Sequence, residues 1–168
     1  MLKLFQYNWQ VRNDWFTWCE DMSAEELVKK RVGGFGSILH TLFHIVDVEY
    51  MWILGLRGES VPEEPLFEEY ASLQKVKNLS AQYHGKVKPF VTSWTNEMDS
   101  RKLSKADFNE EPISSRDAPI RRRVIECTHG ELIRHVIVHE IHHIGQWARE
   151  IGKEPVSANL RGRGLFDN

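Results

Sequence analysis

Apolar residues recur at helical spacing through most of the chain, and turn-forming residues cut that pattern into segments. Leu2, Phe5, Trp9 and Phe16 predict a first helix over residues 2–20. Ser23 followed by Glu26 has the form of a capping box and opens a short second helical piece. Gly33, Gly34 and Gly36 then interrupt the pattern and read as a flexible linker. They lack a preceding strand and the G-x-x-x-x-G-K spacing, which argues against a phosphate loop. Ser37 to Leu56 is the most apolar helix, ended by Gly55 and Gly58, and Pro62 and Pro65 mark a loop over 59–66. From Phe67 to about Met98, Leu73, Val76, Leu79, Tyr83, Val87, Phe90, Val91 and Trp94 predict one long helix, with Gly85 and Pro89 as points of bending. Residues 99–126 lose the helical period, and the strand-like IRRRVIE suggests a short hairpin or extended excursion. Thr128 and Glu131 form another capping box, and the last helix runs to about Ile151, with Gly152 as its stop. The tail, 153–168, is expected to pack irregularly.

Four substantial helices with a long irregular crossover predict an all-α four-helix bundle. A chain of 168 residues fits one domain spanning 1–168. The most apolar stretch, Ile38 to Leu56, carries His40, His44, Asp47 and Glu49, which argues for a buried helix and against a membrane span. The net charge of -2 and the short basic run Arg121 to Arg123 give no footprint for nucleic acid. Cys19 and Cys127 form no C-x-x-C pair, and the N-terminus shows no signal-peptide pattern, so a cytoplasmic protein with reduced thiols is expected.

The chemistry concentrates in HEIHHIGQ, residues 139–146. At 100° per residue, His143 lies about 40° from His139, so both imidazoles leave one helix face and can share a metal ion. His135 lies about 40° to the other side and is ambiguous, while His142 points further towards the polar side. HEIHH also fits the H-E-x-x-H pattern of zinc hydrolases. Two ligands rarely suffice, since catalytic zinc sites use three protein ligands. The helix at 37–56 offers His40 and His44, again four apart, with Asp47 placed to accept a ring proton from His44. Glu140 falls in the middle of the apolar arc: it is either a base acting on water at the metal or a buried carboxylate paired with Arg, Tyr or Trp of another helix. His84 and His129 have no such context and read as surface residues.

With HIVDVEYMW at 44–52 and HEIHHIGQ at 139–146, the chain resembles the DinB-like family over nearly its whole length. The resemblance implies an up-down-down-up four-helix bundle, often a homodimer, with a divalent metal, commonly zinc or nickel, on a His triad. Carried over by motif, that triad is His44, His139 and His143. Relatives include thiol-dependent enzymes, among them a mycothiol-using maleylpyruvate isomerase and bacillithiol S-transferases. Ile144 stands where family members often carry Arg.

Three functions follow as expectations. The first is a metal-dependent enzyme that activates a low-molecular-weight thiol for transfer to a small electrophilic substrate. The second is metal-assisted hydrolysis of a small molecule with Glu140 as the base. The third is a non-catalytic, stress-associated metal-binding protein, favoured if four or more protein ligands saturate the ion.

Overall fold

The computed structural model describes residues 1–103, 127–152 and 162–165. Among them are six α-helices: α1 (Leu2–Glu20), α2 (Ala24–Val28), α3 (Ile38–Leu56), α4 (Leu73–Thr92), α5 (Asn96–Ser100) and α6 (His129–Glu150). A 3₁₀ turn, Phe67–Tyr70, precedes α4. Side-chain caps set most of these starts. Ser37 accepts from the His40 amide and Ser72 from the Lys75 amide. At α6 the box is complete: Thr128 accepts from the Glu131 amide, and the Glu131 carboxylate accepts from the Thr128 amide.

The long helix expected over 67–98 is divided into three. Ser72 and Thr95 are N-caps in extended conformation, so the chain restarts at each rather than continuing. Pro89 lies inside α4, and the helix runs only three residues beyond it. The hairpin expected in 99–126 falls mostly outside the described residues; Lys102 forms an isolated antiparallel bridge with Thr128.

Pairs of contacting residues fix the helix directions. Contacts between α1 and α6 advance together: Asn8 donates to the Ile137 carbonyl, Arg12 meets Glu140, and Trp15 meets Trp147. Those two helices are parallel. On α1 and α4 they run oppositely, with Trp9 against His84 and Glu20 against Lys77. Tyr50 stacks on Tyr83, and Arg57 donates to the Lys86 carbonyl, so α3 and α4 are parallel. Trp52 meets His135 while His44 meets His139, which makes α3 and α6 antiparallel. The order is therefore up-down-down-up, as the resemblance implied.

The inward faces supply one core: Phe5, Trp15 and Phe16 from α1, Leu42, Val46 and Ile53 from α3, Val76 and Val87 from α4, and Ile133 and Trp147 from α6. Near the ends of α1 and α6, Trp15 and Trp147 pack edge-to-face with ring centres 4.3 Å apart. Geometry of this kind adds about 0.5–1.5 kcal/mol beyond burial. Residues of the described tail pack on α1, where Arg163 pairs with Asp14 at 2.7 Å.

Candidate metal centre

Two antiparallel helices bring the predicted histidines together. His44 projects from α3, and His139 and His143 from consecutive turns of α6. Nε2 of His139 lies 3.2 Å from Nε2 of His44 and 3.0 Å from Nε2 of His143. One ligand atom from each residue lies within 4.8 Å of the others. Oε1 of the Gln146 side chain is 2.9 Å from Nδ1 of His143. That oxygen can only accept, so Nδ1 carries the proton and Nε2 of neutral His143 presents a lone pair.

A divalent cation fits this donor set. Three facing Nε2 atoms cannot all be satisfied by one another's protons, whereas a cation accepts all three lone pairs. Zn–N bonds of roughly 2.0–2.1 Å at a tetrahedral angle place nitrogens about 3.3 Å apart, so the His139 contacts need shift by only a few tenths of an ångström. Burial holds the His44 imidazole down to about 2, with its histidine neighbours adding to the effect. It likewise holds His139 down to about 3, and it lowers His143 against the raising effect of Gln146. All three are neutral at pH 7, the state a metal ligand needs.

The other histidines stay out of the cluster. His40 stacks on Phe67. His135 and His142 are exposed, and His135, set edge-on to Trp52 of α3, has its ring centre 6.1 Å from that of His139. Two residues read as surface positions are not. His129 is 1% exposed because it opens α6 against the Arg101 carbonyl. His84 is half-buried and set edge-on to Trp9.

Asp47 does not serve His44. It lies about 60° round the helix from it, on the side where it interacts with Glu64 and Tyr83. Burial, then repulsion from Glu64, pushes its carboxyl up to about 7. The unfolded value is about 3.9, so between these pH values the folded chain holds a proton that the unfolded chain has lost. Stability from this group is therefore complete below about pH 4 and is lost as pH rises through 7. Asp47→Asn is expected to raise stability on the order of 2 kcal/mol at pH 8 and to have little effect at pH 4. Urea midpoints at the two pH values check it.

The His44 ring is held instead by stacking. Phe35 lies over it with ring centres 3.5 Å apart and planes 22° from parallel. The glycine segment that carries Phe35 is a pinned strap and not the flexible linker its composition suggested. The Val32 and Gly33 amides donate to the Glu150 carboxylate of α6, and the Phe35 amide donates to Oγ1 of Thr41. Gly34 sits at φ 62°, and a Cβ there would come within 2.3 Å of Thr41 Oγ1. Gly34→Ala is expected to lower stability by roughly 1–3 kcal/mol, measured as a fall in the thermal midpoint.

Glu140 is directed to α1. Its Oε1 accepts from Nε of Arg12 at 2.8 Å and its Oε2 from Nη2 at 2.6 Å. The same guanidinium donates to both oxygens of Glu49, at 3.2 and 3.0 Å, and Trp9 Nε1 donates to Glu49 Oε2. Arg12, Glu49 and Glu140 are all buried. Burial alone would lower the Arg12 pKa, but Glu140 and Glu49 outweigh it and the net shift is upward. Burial raises Glu140, against the pull of Arg12. Of the two environments weighed for Glu140, this is the paired one: both oxygens are occupied by a cation from another helix.

A DinB family model matches residues 1–163. The chain belongs to the DinB family. It is similar to the uncharacterised protein YizA of Bacillus subtilis (strain 168), at 43% identity over 169 residues, covering 98% of this chain and 96% of that one. In this DinB protein Ile144, which stands where the resemblance would often place Arg, is 5% exposed and belongs to the core. No helix among the described residues is long and apolar enough to cross a membrane.

Proposed function

We propose that this DinB protein is a metal-dependent enzyme that activates a low-molecular-weight thiol for transfer to a small electrophilic substrate. The carrying observation is the donor set: among the described residues, His44, His139 and His143 are the only group of three that converges as metal ligands. Three protein ligands are the pattern of sites that keep a position for substrate. Zinc or nickel is the ion proposed, imidazole being suited to both. When bound, the ion supplies positive charge that lowers the pKa of a thiol or a water brought to it.

The chain's own residues orient and shield. Gln146 holds the Nδ1 proton of His143, and Phe35 fixes the His44 ring and borders the centre with an apolar face. In the reaction the thiol loses its proton to solvent, sulfur bonds to the electrophilic carbon, and the leaving group departs with its electron pair. A protein nucleophile is not required. Cys19 is buried, and burial pushes its thiol up to about 12, which suits an inert core residue. Hydrolysis with Glu140 as base gains no support from a carboxylate whose two oxygens are held by Arg12. We place the enzyme in the cytoplasm as a homodimer of a single domain, following the thiol content and the family resemblance.

The test is elemental analysis of protein purified without a tag, followed by thiol consumption with electrophiles. A single zinc or nickel per chain, with consumption lost on chelation and restored by the ion, is the expected result. A bound metal with no turnover across a broad thiol and electrophile set would favour the non-catalytic, stress-associated reading.

A further inference from the structure

The side of the triad facing the start of α3 is aromatic. Phe35 covers His44 and meets His143 edge-on, with ring centres 5.5 Å apart. His40, one turn before His44, lies 5.7 Å from Phe35 and stacks on Phe67, ring centres 4.1 Å apart and planes 4° from parallel. An unbroken row of rings thus leads from the metal ligands out to the 3₁₀ turn. Phe35, His40 and Phe67 are each half-buried and keep part of their surface in water. Two apolar residues near the row in sequence are open to water: Val32, three residues before Phe35, is 98% exposed, and Leu66, next to Phe67, is 64% exposed. Apolar and aromatic surface beside a few convergent polar donors is the usual make-up of a small-molecule site. Glu68 follows Phe67 in the 3₁₀ turn and Glu64 lies three residues before it; both are exposed carboxylates whose charges act on His40.

We propose that this row is the binding wall for the substrate, and that the electrophile it accepts is a flat, uncharged aryl compound, with anions disfavoured. The inference deepens the metal-dependent reading above and rests on it. Stacking on Phe35 and Phe67 favours flat rings of any substitution pattern. Glu64 and Glu68 act in the opposite sense on a carboxylate or phosphate, by like-charge repulsion next to a half-buried surface.

The test uses the full-length protein loaded with cobalt(II), whose visible spectrum reports ligands added at the metal. Three probes share a ligating ring: imidazole, 4-phenylimidazole and its para-carboxylate. The phenyl probe is expected to bind about 10-fold more tightly than imidazole, with that gain lost in the carboxylate. The ring contacts of Phe67 are with His40 and Phe43, not with the rings of the triad. Phe67→Ala and the milder Phe67→Leu should therefore keep the cobalt content and spectrum of the parent yet lose most of the phenyl preference. Joint Glu64→Gln and Glu68→Gln replacement should restore binding of the carboxylate probe. Equal affinity for imidazole and 4-phenylimidazole, or a preference that survives both Phe67 variants, would overturn the wall while leaving the metal reading intact. Failure to take up cobalt, zinc or nickel would overturn both.

Discussion

Arg12→Ala is expected to lower stability by about 3–5 kcal/mol, because it leaves two carboxylates in the bundle interior without their cation. For a chain of this size that corresponds to a thermal midpoint roughly 10 °C lower. The cause is the buried position of all three partners: the side chains of Arg12, Glu49 and Glu140 are 3–4% exposed. Thermal and urea unfolding of the variant measure it. Converting Arg12, Glu49 and Glu140 together to apolar residues of similar volume should recover most of the loss, since the penalty lies in the stranded charges and not in the absence of the pair. A fall below about 1 kcal/mol in the single variant would mean that water reaches the cluster and that it is not a dry network. A second effect should appear at the metal. Glu140 adjoins His139 in sequence, and its ion pair with α1 fixes the rotation of α6. Metal affinity is therefore expected to fall as well, by about 10- to 100-fold, as when a partner that orients a ligand is removed.

His139→Ala is expected to abolish metal binding, because its Nε2 is the atom that the other two nitrogens approach within 3.2 Å. Metal content per chain should drop from a single ion to background in a variant that remains helical by circular dichroism. The same variant has a pH signature. Burial lowers the folded His139 pKa to about 3, while an unfolded histidine titrates near 6.5. Below about pH 6.5 the unfolded chain binds a proton that the folded chain refuses, so metal-free stability declines as pH falls towards the folded value. Removing the imidazole removes that contribution. Between pH 6.5 and 5.5, metal-free His139→Ala should lose less stability than the parent, by on the order of 1 kcal/mol. Identical slopes for the two proteins would show that the site admits protons freely, contrary to its burial.

The histidines were legible because helical spacing alone puts His139 and His143 on one face, and because an imidazole in a helix as apolar as α3 needs a partner. The same logic was available for Arg12 and Glu49. Arg12 follows Trp9 by one helical step on the aromatic side of α1, and Glu49 lies among apolar residues of α3. With Glu140 in a third apolar arc, the three charges offered a matching set that a residue-by-residue reading left unpaired. Phe35 was hidden for another reason. Glycines on both sides suggested looseness, whereas here they permit close approach: Gly33 packs against the Gln146 backbone, and Gly34 leaves room for the Thr41 hydroxyl. The divided 67–98 segment kept the apolar period across its breaks, so periodicity could not reveal the caps at Ser72 and Thr95. Asp47 was misplaced because its spacing from His44 suits a hydrogen bond but says nothing of which neighbouring helix each side faces.

The two helices that meet at the triad are far apart along the chain: His44 and His139 are separated by 95 positions. An ion joining them would act as a removable cross-link, closing a loop that takes in the α3–α4 connection and most of the bundle. In the simplest chain-entropy treatment, a permanent link across about 95 residues restricts the unfolded ensemble by roughly 4–5 kcal/mol at 25 °C. A coordinate link can approach that effect only as far as the unfolded chain releases the ion. Melting temperature should then climb with free-metal concentration, which makes heat resistance a gauge of site occupancy that needs no substrate.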